Sequence, residues 1–308
     1  MKIVRIVAHV LEAKLAAPFA WSFSKTDRRT GLLVEIEAGG ITGWGEVYGP
    51  ARINRGVLEG MAPLLIGRDA LAREAIWETV YDQLRDHGQR GLVVQALSGI
   101  DIALWDLAGK ALGQPVHRLM GGPIRSDVRA YATGLYRRLG RDDHAAYLAR
   151  EAAGYVAEGF GAVKLKVGFG VEEDLRNALA VREAIGPGVE LMVDANHGYD
   201  VVSAIRLGRA MAELDIGWFE EPVIPEDVDG YAEVRSRQPI PVAGGECSFT
   251  RHDFKRLFEA RALDYAQPDT CACGGLSEAK KIADMAWAAG VRYVPHVWGT
   301  GVALATAL

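Results

Sequence analysis

Cysteine is scarce in this chain: Cys247, Cys271 and Cys273 are the whole complement. Three thiols cannot close a disulfide framework, and they fit a reducing compartment. Cys271 and Cys273 are separated by one residue rather than two, with no second pair, so a metal or redox motif is disfavoured. No basic run is present and the net charge is −5, which argues against a nucleic-acid partner. No apolar run is expected to reach membrane-spanning length. The apolar part of Met1 to Ala8 is short and is soon followed by Glu12 and Lys14, unlike a signal peptide. HxH and HExxH are missing, which disfavours a zinc hydrolase. Together these absences point to a cytoplasmic protein without nucleic-acid or membrane partners.

About half of the 308 residues are apolar, enough for one large barrel or two smaller domains. Residues 1–50 read as an antiparallel meander: Ile3 to Val10, Thr30 to Glu37, then Thr42 to Glu46 after the turn Gly39-Gly40. Between the first two strands, Pro18 to Lys25 reads as an aromatic loop that is either packed down or covers something. Residues 51–113 turn helical, with apolar residues at helical spacing from Asp69 to Arg85 and from Leu92 to Ala111. Gly113-Gln-Pro115 stops the last of these helices. Gly121-Gly-Pro123 is a plausible boundary, giving an α+β capping domain over residues 1–122. Residues 123–308 alternate strand and helix, beginning with Val128 to Thr133, and argue a parallel (β/α) barrel.

Within that repeat, ionisable residues end successive apolar runs: Lys164 and Lys166, then Asp194, Glu220, Glu246, Asp269 and His296. The steps from Lys166 onward are about 28, 26, 26, 23 and 27 residues, each the length of a strand plus its crossover helix. A reactive residue at the end of each strand is how a parallel barrel builds an active site. Lys164 and Lys166 share one strand face. They read as solvent-facing strand-end residues, as a Schiff-base nucleophile, or as a base whose pKa burial and a neighbouring cation push down. Asp194, Glu220 and Glu246 would repel one another without a cation between them, and an all-oxygen set favours Mg²⁺, with Mn²⁺ as the variant. Asp194 also reads as a helix cap. Glu221 should face away from Glu220 and is not counted. His296 is either a structural histidine or a base oriented by Asp269. A metal flanked by two bases suits removal of a proton α to a carboxylate, with the metal stabilising the enediolate.

The set Lys164-x-Lys166, Asp194-x-Asn196, Glu220-Glu-Pro222, Gly244-Gly-Glu246, Gln267-Pro-Asp269 and the His296 strand resembles the enolase superfamily, mandelate racemase subgroup. The resemblance implies a modified TIM-type barrel with an N-terminal cap, and one Mg²⁺ per subunit on Asp194, Glu220 and Glu246. It implies Lys166 as one base, Lys164 holding the substrate carboxylate, and His296 with Asp269 as the other base. Asn196, Trp21, Tyr48 and Trp298 are expected at the substrate, and a homo-oligomer is expected. The stretches Asp194 to Tyr199, Trp218 to Val223, Cys271 to Gly275 and Pro295 to Gly301, and in kind Phe19 to Arg29 and Gly49 to Arg52, are similar to family members that open aldaric acid lactones to 3-deoxy-2-keto acids. Acid-sugar dehydration and racemisation are the alternatives within the family. A Schiff-base aldolase and a binding-only protein are the alternatives outside it. The family's barrel carries one more strand and a C-terminal tail beyond Leu308, so the reading expects an open barrel edge here.

Overall fold

The computed structural model describes residues 1–308. Strands β1 (Ile3–Trp21), β2 (Ser24–Ala38) and β3 (Ile41–Val47) open the chain. Helices α1 (Ala51–Leu65), α2 (Arg73–Leu84), α3 (Leu92–Leu112) and α4 (Val116–Leu119) follow. Then come β4 (Ala132–Thr133), β5 (Arg137–Arg138), α5 (His144–Ala157), β6 (Ala162–Lys166), α6 (Val171–Ile185) and β7 (Glu190–Asp194). The remainder is α7 (Val201–Ala210), β8 (Ile216–Glu220), α8 (Val228–Arg237), β9 (Val242–Gly244), α9 (Thr250–Glu259), β10 (Tyr265–Ala266), α10 (Gly275–Ala288), β11 (Arg292–Tyr293) and α11 (Gly301–Ala307).

Two sheets result. The antiparallel one has the order β3-β2-β1-β5, and the parallel one has the order β11-β10-β9-β8-β7-β6-β4. The second is a curled seven-stranded half-barrel whose edges, β4 and β11, are not paired with each other. Along β6, Val163 and Leu165 pack into the layer between sheet and helices, with Val193, Phe219 and Ile282. Ala162, Met192, Trp218 and Ala243 fill a small inner cluster. Strand alternation therefore leaves Lys164 and Lys166 on the inner face, above that apolar floor. A separate core lies under the antiparallel sheet, built on Leu32, Ile36, Leu58, Trp77, Leu97 and Ile100.

Two expectations need correction. Pro18 to Lys25 is no loop: β1 runs to Trp21, turns at Ser22-Phe23 and continues into β2, and Phe19 also pairs with Arg138. Aromatic and polar residues without a period can still form a strand when backbone partners exist on both sides, which residue patterning does not reveal. The barrel's first strand is also shorter than Val128 to Thr133, only Ala132 and Thr133 being paired. In addition, the 21 residues of α3 are long and apolar enough to cross a bilayer, but the window is 78% buried inside the protein, as in a core helix.

Helices α2 and α3 are tied to the start of α10 by polar contacts. Trp77 Nε1 donates to Gly274 O at 2.8 Å, and Trp105 Nε1 to Ser277 Oγ at 2.9 Å. Buried Asp101 accepts from the Ser277 backbone N–H and hydroxyl at 2.9 and 2.6 Å. Burial raises the Asp101 carboxyl to about 7, despite those bonds. A carboxyl raised in the folded state contributes stability that is complete below about pH 4 and lost as pH rises toward 7. Wild-type stability should therefore fall across that window by up to roughly 4 kcal/mol from this group. Thermal melts of Asp101→Asn between pH 4 and 8 should lose that component of the slope. An identical slope in the variant would remove Asp101 from the account.

Candidate active site

The register sets the site. Lys166 pairs with Asp194, and Asp194 pairs with Glu220, so the three stand at one level across β6, β7 and β8. Glu246 follows β9, and an isolated parallel bridge joins Asp269 to His296 beyond β10 and β11. Lys166 and His296 thus flank the three carboxylates in strand order. Asp194 and Glu220 are almost wholly buried, as are Lys164 and Asp269, while Lys166 and Glu246 are 7% and 8% exposed. That rules out solvent-facing lysines.

Asp194, Glu220 and Glu246 each offer a carboxylate oxygen, and these oxygens lie within 4.8 Å of one another. Lys164 Nζ donates to Glu220 Oε1 at 2.6 Å, and Lys166 Nζ to Asp194 Oδ2 at 2.5 Å and Asn196 Oδ1 at 2.8 Å. The other oxygen of Glu220 accepts from Trp218 Nε1 and Gln267 Nε2, each at 2.9 Å. Glu246 Oε2 lies 3.1 Å from His296 Nε2, but out of line for a hydrogen bond, and it has no donor. Two lysines beside three carboxylates leave one negative charge over, and Glu246 Oε2 is an orphaned acceptor. The set fits a hard divalent cation. Asp194 does not cap the next helix: its Oδ1 accepts from Asn196 N within the turn, while Asp200 caps α7.

His296 Nδ1 bonds Asp269 Oδ2 at 2.8 Å, and Asp269 Oδ1 accepts from Cys271 N at 2.7 Å. Burial disfavours the His296 cation, but Glu246 and Asp269 together outweigh burial and raise its pKa. The lysines depart from expectation. Burial does push them down, yet Asp194 acting on Lys166, and Glu220, Tyr131 and Asp194 acting on Lys164, push harder, and both ammonium groups are held above their ordinary value. The expected depression by a neighbouring cation operates on Lys166, but adjacent carboxylates outrank it.

Above these groups lies an aromatic wall. Trp298 meets Trp21 and Tyr136, with ring centroids 6.2 Å apart in each case, and Tyr48 stands edge-on to His296 at 5.9 Å. Ser22 Oγ donates to Asn196 O at 2.9 Å, tying the β1–β2 turn to the barrel. The structure thus gathers every named residue: Lys164, Lys166, Asp194, Asn196, Glu220, Glu246, Asp269 and His296 below, and Trp21, Tyr48 and Trp298 above. Residue spacing singles out neither Tyr131 nor Tyr136, and Trp218 and Gln267 enter only through the motifs Trp218 to Val223 and Gln267-Pro-Asp269. Trp218 was legible in principle, because two residues before Glu220 on a strand means the same face. Glu221 stays outside the triad as expected, but it is buried at φ +43° with both carboxylate oxygens unpartnered, beside His197 and Cys247. Burial, followed by Glu246, pushes its carboxyl well up, toward the protonated form.

Residues 3–121 match the mandelate racemase/muconate lactonizing enzyme N-terminal domain, and residues 147–308 match the enolase C-terminal domain-like family. The chain belongs to the mandelate racemase/muconate lactonizing enzyme family of the enolase superfamily. It is an enzyme of that superfamily, resembling named acid-sugar cycloisomerases and dehydratases. D-galactarolactone cycloisomerase of Agrobacterium fabrum is 54% identical over 309 residues, covering all of this chain and 82% of that protein. The solved 3,6-anhydro-D-galactonate cycloisomerase from Zobellia galactanivorans is 43% identical, with a TM-score of 0.92 over all of this chain and 83% of that one. A racemase from Streptomyces coelicolor A3(2), solved with bound magnesium, is 32% identical, with a TM-score of 0.92 over 99% of this chain and 86% of that one. Family membership explains why the carboxylate triad sits at the mouth of a half-barrel beneath an antiparallel cap.

Proposed function

We propose that this enzyme removes the proton α to a carboxylate and opens an aldaric acid lactone of the galactarolactone type to a 3-deoxy-2-keto acid. The observation that carries this reading is the cluster of three carboxylates with Lys166 on one side and the Asp269–His296 pair on the other. The identity to a galactarolactone cycloisomerase supports the choice of substrate class. Residues 1–122 act as the cap and residues 123–308 as the barrel, and the working form is a homo-oligomer.

Asp194, Glu220 and Glu246 would hold one Mg²⁺, which would supply counter-charge for a substrate carboxylate and its enediolate. Lys164 is placed to hold that carboxylate. Lys166 or His296 takes the proton, depending on which face of the α-carbon carries it. Asp269 fixes the His296 tautomer through Nδ1, leaving Nε2 to work. Lys166 must shed a proton before it can act. Trp21, Tyr48 and Trp298 cover the site from above and exclude water, and Asn196 orients Lys166.

Proton NMR in D₂O with Mg²⁺ and D-galactaro-1,4-lactone tests the reading. Expected are loss of the α-proton signal, appearance of a 3-deoxy-2-keto acid, and abolition of both by EDTA. A product inverted at the α-carbon would instead support racemisation. No exchange from any aldarolactone, aldarate or aldonate would overturn the reading.

A further inference from the structure

One requirement of the lactone reaction, on which this inference rests, is not met by the groups named so far. A base takes the α-proton, and the C–H electrons form the enol double bond. The β C–O bond breaks, and its electron pair leaves on what was the lactone ester oxygen. The lactone carbonyl thereby becomes a free carboxylate, and the enol takes a proton at the β-carbon to give the keto acid. Atoms balance without water or oxidant, since lactone and product are isomers. A full negative charge nevertheless appears on the departing group, away from the carboxylate held at the triad. Lys164 and Lys166 are committed to the other end of the substrate.

Arg29 is the cation placed for that charge. Its guanidinium carbon lies 3.5 Å from the centroid of the Trp298 ring. Stacking on an indole face uses the π-surface of the guanidinium and leaves its edge N–H donors free for a bidentate carboxylate. Neighbouring arginines are spent on carboxylates: Arg28 on Asp27 and Glu12, Arg137 on Glu173, Arg138 on Glu151. Arg29 has no hydrogen-bond or ion-pair partner. The nearby acid, Glu46, is already saturated by Thr300 N, Thr300 Oγ1 and Ala303 N at 2.8, 2.6 and 2.9 Å. The same Trp298 ring meets Tyr136, which carries Lys166 Nζ 5.3 Å from its centroid. Arg29 also feels Tyr48, whose ring stands edge-on to His296. Its surroundings therefore reach both flanking bases. We propose that Arg29 is a catalytic residue that receives the carboxylate released from the lactone as the β C–O bond breaks.

The test uses the Mg²⁺-loaded full chain with D-galactaro-1,4-lactone in D₂O, scoring α-deuteration of recovered lactone and keto-acid formation separately. In Arg29→Gln, keto-acid formation should fall by about 10²–10³-fold, as on removal of one donor to a developing anion. Exchange should fall far less, so recovered lactone becomes deuterated. Arg29→Lys should keep an intermediate rate. Arg29→Ala should recover part of its elimination, but no additional exchange, on addition of low-millimolar guanidinium, a readout that a purely structural role would not move. Equal loss of exchange and elimination in Arg29→Gln, with no guanidinium rescue in Arg29→Ala, would overturn the role and leave the proposed function standing. Unchanged elimination in Arg29→Gln would do the same. Absence of exchange and product in the wild type would remove both proposals together.

Discussion

Glu220→Gln should abolish metal-dependent turnover, with a loss of at least about 10³-fold in α-proton exchange. Glu220 is the centre of the triad's polar network: one oxygen takes Lys164, and the other takes Trp218 and Gln267. The substitution keeps the shape but removes one of three negative charges, and it swaps an acceptor for an amide N–H. Whichever way the amide is turned, a donor then faces Lys164 or the pair Trp218 and Gln267. A buried donor facing donors costs about 1–3 kcal/mol. Metal affinity should weaken and folding stability should drop modestly. The measurement is exchange in D₂O beside metal stoichiometry by elemental analysis. Full activity with unchanged stoichiometry would refute the assignment of Glu220 as a ligand.

Lys166→Ala and His296→Asn should each suppress exchange from one face of the α-carbon by about 10²–10⁴-fold, the usual worth of a positioned base. The other face should persist. Epimeric substrates read the faces separately. The pH dependence carries a sign. Glu246 and Asp269 raise the His296 pKa above its ordinary 6.5, so His296 becomes a free base only above that value. Exchange through His296 should therefore fall on acidification, as the imidazole takes up a proton. Exchange from both faces unaltered in both variants would sink the two-base assignment.

Most of the site was legible because a parallel barrel turns sequence period into spatial convergence. Once Lys166, Asp194, Glu220, Glu246, Asp269 and His296 recur at a strand-plus-helix interval, topology alone brings their side chains to one rim. The charge state of Lys166 was not legible. It depends on whether Asp194 or Lys164 stands closer to its ammonium group, and the carboxylate, bonded at 2.5 Å, prevails. The end of the β1–β2 hairpin has the residue pattern of an aromatic loop because its strands are held by pairing across the chain rather than by hydrophobic alternation. The role of Arg29 is not legible in sequence for a related reason. An arginine in a strand looks like a surface residue until a tryptophan more than 260 positions later is found beneath it.

Sequence by itself determined the family, the half-barrel and the donor chemistry, because residue identity fixes which groups can bind a hard cation or carry a proton, and periodicity fixes the face they occupy. Tertiary structure alone decided which of those groups neutralise one another. It paired both lysines with carboxylates, left Glu246 Oε2 without a donor and saturated Glu46 on the helix that follows Trp298. It left Arg29 stacked and uncommitted over the site. Such pairings depend on distances of a few ångströms between residues remote in the chain, and electrostatic strength varies too steeply with separation and burial for sequence order to fix it.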